Sequence, residues 1–184
     1  MFLRKINGLT IECVRGNIAV QPGFDAVVNA ANAELRPGGG VAGAIHRAAG
    51  PGLDEECRPL APIRPGEAVI TGAHRLPNRH VIHCLGPVYG QDEPSEDLLA
   101  TCYRNALHLA ENHGLGSVAF PAISAGAFGY PLEPAARTAL AAIVEEAPRL
   151  SCVKIVRFVL FDAADLEMFG SILAELIPEK AEDV

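Results

Sequence analysis

The chain has 184 residues, of which 49% are hydrophobic and 20% charged, with a net charge of −7. That length and mix are enough to bury a sizeable core in one domain, expected over residues 1–178, with a charged, frayed tail at 179–184. The acidic balance excludes an extended nucleic-acid or anionic-membrane surface, which needs clustered Lys and Arg. It does not exclude a small anion held by uncharged backbone N–H groups.

In chain order, Leu3–Ile6 and Leu9–Arg15 flank Asn7-Gly8, a hairpin turn signal. Ala26–Asn29 is a short apolar run that reads as a buried strand. Val41, Ala44, Ile45 and Ala48 recur at helical spacing, and Gly50-Pro51 is expected to stop that helix. Glu67–Ala73 and His80–Leu85 read as strands joined by a Leu76-Pro77-Asn78 turn. Ser95 is a candidate N-cap for a helix whose inner face carries Leu98, Leu99, Cys102, Tyr103, Ala106, Leu107 and Ala110, closed by Gly114. Ser117–Pro121 is the next buried strand, Pro134–Ala147 a helix, Ile155–Phe161 a β-branched and aromatic strand, and Ala163–Ile177 a last helix ended by Pro178.

No apolar run reaches the roughly 18 residues of a membrane span, and Met1–Gly8 is too short and too charged for a signal peptide. The cysteines (Cys13, Cys57, Cys84, Cys102 and Cys152) are odd in number and lack a CxxC pair, which argues against a zinc or disulfide framework. Cys13, Cys84 and Cys152 lie in or beside apolar strand runs and read as reduced core thiols, which points to the cytoplasm. No metal and no cofactor are expected, and the chain is expected to act as a monomer.

Strands alternate with helices, and several strands are continuous apolar runs, so the sequence implies an α/β sheet covered on both faces. Ligands of such sheets bind at the strand C-terminal ends. Two loops of small residues leave strands there: Asn29 to Asn32 leading into Pro37–His46, and Pro121 to Pro131. Small side chains let backbone N–H groups approach an anion, and a helix start adds positive potential. The pair suggests one extended phosphate-bearing ligand gripped from two sides. Gly38–Gly43 also fits the GxGxxG pattern of dinucleotide folds, between a strand and a helix. However, Asn32–Pro37 separates strand from glycines, and the region about 20 residues on is Pro62–Pro65 rather than an acidic strand end.

The stretches VVNAANAELRPGGGVAGAIHRAAG, HVIHCLGPVYG, SVAFPAISAGAFGYP and FVLFDAADLEMF resemble the macrodomain family, in particular its MacroD-type branch, from Cys13 to about Leu176. The resemblance implies a three-layer α/β/α sandwich with a central mixed, mostly parallel sheet. It implies ADP-ribose as ligand, and for many members cleavage of ADP-ribose from acidic side chains or deacetylation of O-acetyl-ADP-ribose. Carried onto this chain, Asn29 and Asn32 belong to the ligand site, with Asn32 bonding the distal ribose in preference to the alternative of an Asx-type loop cap. Gly38, Gly39, Gly40 and Val41 surround the distal ribose and its phosphate. Ser124, Ala125, Gly126, Ala127 and Phe128 hold the diphosphate from the other side. Phe161 stands near the adenine or else in the core, Ile18 offers an apolar wall, and Asp162 binds ligand or caps the last helix. His46 reads as packed or solvated rather than catalytic. His80 and His83, three apart on a strand, face opposite ways and make no ligand pair.

Two departures from the family stand out. Relatives commonly carry Gly-Asp-Ile, whose aspartate accepts from the adenine amino group, where this chain has Gly16-Asn17-Ile18; Asn17 can still accept through its carbonyl oxygen, without charge assistance. MacroD-type hydrolases usually carry an aspartate after GGGV, where this chain has Ala42. Alanine cannot act as a general base, a role worth about 10²–10⁴-fold. Some viral macrodomains also read GGGVAG and still hydrolyse ADP-ribosyl esters. The sequence thus leaves a hydrolase, with Asn32 and the Gly40 amide shaping the reacting centre, beside a non-catalytic ADP-ribose reader. Its partners would be ADP-ribose or an ADP-ribosylated protein or metabolite.

Overall fold

Buried apolar strands and covering helices build a seven-stranded sheet, described over residues 1–179 by a computed structural model. The strands are β1 (Phe2–Ile6), β2 (Leu9–Arg15), β3 (Ala26–Ala30), β4 (Ala68–Gly72), β5 (His80–Cys84), β6 (Ser117–Phe120) and β7 (Ile155–Leu160), in the spatial order β1-β2-β7-β6-β3-β5-β4. The strands β2, β7, β6, β3 and β5 run parallel, and β1 and β4 close the two edges antiparallel. The β1–β2 turn places Asn7 at φ 48° and Gly8 at φ 81°, the left-handed pair that a two-residue hairpin requires. Beyond residue 179 the expected frayed tail lies outside the described residues, and Glu179 itself stands 3.2 Å from Arg4.

Helices α1 (Gly40–Ala49) and α2 (Pro51–Cys57) cover one face of the sheet. Helices α3 (Ser95–Asn112), α4 (Leu132–Glu146) and α5 (Ala163–Leu176) cover the other. The pleat divides the strand residues between the two cores. Val118 and Phe120 of β6 face α3–α5, and Ala119 between them faces α1 and α2. On the α3–α5 side the rings of Tyr103, Phe120, Phe158 and Phe169 form a continuous chain with centroids 5.2–5.9 Å apart, spacings typical of packed aromatic pairs.

Several local expectations are corrected. Gly50-Pro51 does stop α1, and Pro51 also opens a further short helix, α2, that the sequence reading did not include. A first helical position needs no N–H donor, so proline suits it. Ser95 is not an N-cap: Pro94 occupies that place, and the Ser95 hydroxyl donates back to the Asp92 carbonyl at 2.5 Å. Helix α4 begins at Leu132, with Pro134 inside its first turn, where the missing N–H is harmless. Cys152 is exposed rather than a core thiol, because it sits in a turn whose amides, from Ser151 to Val153, donate to Glu111.

The central strands carry a buried polar chain. Asn29 and His83 are register partners on β3 and β5. His83 Nδ1 stands 3.0 Å from Asn29 Nδ2, and its Nε2 stands 2.9 Å from Thr71 Oγ1, which donates to the Gly72 carbonyl. A neutral ring satisfies this chain by accepting at Nδ1 and donating at Nε2. Burial, and secondarily the neighbouring His46, push the His83 pKa down to about 3. His80 turns to the opposite face, toward His113 at 5.6 Å.

The unfolded chain therefore takes up a proton near pH 6.5 that folded His83 refuses until about pH 3. The stability this supplies is whole above pH 6.5 and is lost as pH falls through that window, at up to ~1.4 kcal/mol per pH unit. Thermal melts from pH 7 to 4.5 are expected to show a falling Tm, and His83→Asn is expected to flatten the slope while lowering Tm at pH 7. A wild-type Tm constant over this range would contradict the assignment.

Candidate functional site

Strands β3, β5, β6 and β7 end at one edge of the sheet, and their following loops enclose a cleft of about 460 Å³. The first wall begins at Ala30, Ala31 and Asn32. The Asn32 side chain closes the loop on itself, with Nδ2 donating to the Arg36 carbonyl at 2.9 Å and Oδ1 accepting the Arg36 amide at 3.0 Å. Leu35, at φ 54° and 1% exposed, pins the same loop into the α1–α2 core. Gly39 is the N-cap of α1, and no side chain caps the first turn. The opening N–H groups of the helix are consequently left for an acceptor in the cleft. One glycine here is structural: a Cβ on Gly43 would meet the Gly38 carbonyl oxygen, so only glycine lets α1 pack this close to its own entry loop.

The second wall is Pro121–Phe128 after β6. It is tied down from below by Tyr103 of α3, whose hydroxyl accepts the Ile123 amide at 3.1 Å and reaches the Pro121 carbonyl at 3.4 Å. Burial holds the Tyr103 hydroxyl well above its ordinary pKa, so it remains a neutral donor and acceptor. From above, the Tyr89 amide donates to the Phe128 carbonyl at 2.9 Å, and the Tyr130 amide returns to Ser124 at 3.0 Å. Among the described residues the amides of Gly126, Ala127 and Phe128 have no protein acceptor. Ser124 adopts φ 64°, and its buried hydroxyl has no partner among the described residues.

Of the residues expected from sequence, Asn32, Gly38, Gly39, Gly40, Val41, Ser124, Ala125, Gly126, Ala127, Phe128 and Phe161 line this one cleft, and so does Ala42. Asn17, Ile18, Asn29 and Asp162 do not. Asn17 Oδ1 accepts the Ala19 amide at 2.9 Å, and Ile18 packs into the α1–α2 core. Their loop stands beside the Phe161 end, where the Gly16 amide bonds the Leu160 carbonyl. Asn29 is buried against His83. Asp162 caps α5 by accepting the Asp165 amide at 2.9 Å. Phe161, for which core and ligand readings were both open, is 88% exposed. His46 is packed on α1, and burial holds its pKa below the ordinary value.

Gly86 and Asp165 are among the lining residues that the sequence reading did not name as site residues. Gly86 follows β5, and a Cβ there would run into Ser124 and Ile123. The glycine-proline pair directly after a strand was its signal. Asp165 lines the cleft from α5, and burial and the neighbouring Asp162 raise its pKa. Asp162 drew attention as the cap and concealed it. Charge within the lining is thus confined to Asp165, at the Phe161 end, and the glycine-loop end offers amides, Asn32 and the Ser124 hydroxyl. Among the described residues no three His, Cys, Asp or Glu side chains come together as a metal site, and no helix is long and apolar enough to cross a membrane.

The Macro domain family model matches residues 28–139. A macro domain-containing protein of Chlorobaculum tepidum is 48% identical over 151 residues, covering 82% of this chain and 88% of the relative. One of Caldanaerobacter subterraneus is 44% identical over 171 residues, covering 90% and 97%. Among solved structures, the Oceanobacillus iheyensis macrodomain with ADP superposes with a TM-score of 0.91 at 39% identity, covering 95% of each chain. The Trypanosoma brucei macrodomain in complex with ADP-ribose gives 0.82 at 38% identity, covering 88% of this chain and 68% of the other. The chain belongs to the macro domain family, and its three-layer fold is that of these neighbours.

The Tyr103 tether predicts a local effect. Tyr103→Phe removes both hydroxyl contacts to the second wall and keeps the ring in its aromatic chain. The expected loss is about 1 kcal/mol of stability, with faster hydrogen exchange concentrated at Ile123 and the Ser124–Phe128 amides. Exchange that rises evenly across the sheet would show that the hydroxyl does not hold the loop.

Proposed function

We propose that the chain binds ADP-ribose in this cleft and hydrolyses ADP-ribosyl esters, either mono-ADP-ribosylated Asp or Glu or O-acetyl-ADP-ribose. It would be a MacroD-type enzyme working without a general-base aspartate. The observation that carries the reading is the pair of facing walls in which the first-turn N–H groups of α1 and those of Gly126, Ala127 and Phe128 have no acceptor among the described residues. The solved relatives that hold ADP and ADP-ribose support it. A cleft of about 460 Å³ falls in the size range of small-molecule sites.

In this reading the diphosphate lies between the first turn of α1 and Ser124–Phe128, where N–H donors and the helix dipole favour negative charge. The distal ribose sits against Asn32, Gly38–Val41 and Phe128. The adenosine extends to the Phe161 end, beside the Asn17–Ile18 loop. Asn29 acts from beneath, holding β3 to β5, and Asp162 acts by fixing the start of α5. For a carboxylate ester, water adds to the anomeric carbon while the glycosidic C–O bond breaks. The side-chain carboxylate leaves with the bonding pair, and the proton of the attacking water passes to a phosphate oxygen of the ligand. Ala42 occupies the place of the usual aspartate and offers no proton acceptor. The amides of Gly40 and Val41 would stabilise charge developing on the ligand, and the substrate's reactive ester removes the need for a cofactor. The chain is proposed to act as a cytoplasmic monomer.

Ala42 also favours a second reading, a module that binds ADP-ribose and releases it unchanged. Product analysis after incubation with a glutamate-linked ADP-ribosyl protein separates the two: the enzyme frees ADP-ribose, and the reader leaves the ester at its spontaneous rate.

A Cβ on Gly126 meets no protein atom within 4 Å, so Gly126→Val is expected to fold normally and to fill the diphosphate wall. Calorimetry should show ADP-ribose affinity reduced about tenfold or more. Unchanged affinity would remove this wall from the site. Ala42→Asp supplies the missing base, and its hydrolysis rate is expected to rise by at least about tenfold, the low side of general-base contributions. An unchanged rate with binding intact would mean that water approaches from elsewhere.

A further inference from the structure

Behind the first wall lies a smaller pocket of about 310 Å³, bounded by Pro37, Gly38, Gly43, His46, Arg47 and Asp54 among others. Gly38 belongs to this pocket and to the cleft alike, so a single thickness of backbone separates them at the glycine-loop end. His46 is 5% exposed, lines the pocket, and has no partner at either ring nitrogen among the described residues. Buried polar groups are nearly always satisfied, and leaving one unpaired is costly. The ring nitrogens themselves are shielded, so what the pocket offers an occupant is set by the charged groups at its rim.

The surrounding charge says which kind. Asp54, the carboxylate of the wall, is already held by Arg36 at 2.8 Å and Arg58 at 3.1 Å. Arg47 is exposed and makes no ion pair among the described residues, and the Arg75 side chain reaches over Gly50 on the same rim. The Glu56 carboxylate nearby is committed to His74 and the Gly72 amide. A chain of net charge −7 thus concentrates the uncompensated guanidinium groups of Arg47 and Arg75 at the rim of this pocket.

We infer that this pocket receives an acidic side chain of the ADP-ribosylated protein, so that the chain reads an Asp or Glu beside the modified residue together with the ADP-ribose. The inference rests on the proposed function, which sets the distal ribose, and the protein attached to it, against the Gly38 rim. An extended peptide advances about 3.3–3.6 Å per residue, so a neighbour one or two positions from the modified residue spans one thickness of backbone. Arginine forks match carboxylates in geometry as well as charge. The ligand's own phosphates are engaged in the cleft, which leaves the peptide as the source of the anion.

The test uses peptides that carry ADP-ribose through an amide on a glutamine side chain, a linkage that ester hydrolysis leaves intact. One peptide has glutamates flanking the modified residue and the other has glutamines. Wild-type chain is expected to bind the acidic peptide about tenfold more tightly. The preference should weaken as salt rises. Arg47→Glu should abolish it, Arg47→Lys should retain most of it, and free ADP-ribose should bind all three proteins within about twofold. Equal affinity of wild type for the two peptides, or a preference that survives Arg47→Glu, overturns the inference while the ADP-ribose reading stands. Failure of wild type to bind free ADP-ribose overturns both.

Discussion

The cleft is lined by no Lys or Arg, so a diphosphate held there meets donors that carry no formal charge, and this constraint organises the sheet edge. Main-chain N–H groups are the available donors, and they serve only if the protein leaves them without acceptors of its own. The parallel run β2-β7-β6-β3-β5 brings successive loops to one edge, which is where helix starts and strand ends expose such groups. The uncapped first turn of α1 and the free amides of Gly126–Phe128 are unsatisfied for the same reason. An acceptor supplied by the protein, such as a serine or aspartate at the Gly39 position, would stabilise α1 and compete with the ligand.

Unpaired donors and left-handed residues cost stability locally, and the two cores offset that cost. Leu35 and Ser124 both hold positive φ without being glycine, conformations that persist only where the surroundings fix them. Leu35 is fixed by burial in the α1–α2 core, and the Ser124 loop is fixed by Tyr103 from the α3–α5 core. Each wall of the cleft is thus anchored in a different hydrophobic layer, with the sheet between them setting their separation. That arrangement keeps small residues at the glycine-loop end of the cleft and places the anchors Leu35 and Tyr103 behind it.

Much of this was legible from local pattern. The Asn7-Gly8 hairpin, the apolar β3 and β6 runs and the helical spacing after the glycines each carry their own signal, because turn chemistry and periodicity act over a few residues. What escaped was mostly non-local. Gly86 matters because Ser124, far along the chain, packs against it, and Tyr103 matters because its hydroxyl reaches the loop after β6. Neither relation leaves a trace in spacing. Gly50-Pro51 ends α1 as its sequence implies, and the start of α2 at the same proline escaped for a different reason, since proline both ends helices and begins them. Asp165 was hidden behind Asp162: two acids three residues apart at a helix start share one capping role, and the sequence does not say which of them caps and which faces the cleft. Phe161 looked equally at home in core or cleft until the end of β7 showed it outside.

The absence of a carboxylate at Ala42 changes what the site can contribute more than whether it can act. Side chains at the glycine-loop end offer no group that titrates near neutral pH, and Asp165 lies at the other end of the cleft. His46 sits behind the wall rather than in it. Rate acceleration would then come from holding the ester beside fixed N–H dipoles, a contribution that needs no proton transfer to the protein. Such a site favours substrates whose leaving group is already stable as an anion, and a carboxylate meets that condition where an amide or an arginine guanidine does not. On the proposed reading, the residue choice that would weaken the catalyst would also narrow its substrates, and would place more of the discrimination on how the attached protein meets the rim at Gly38.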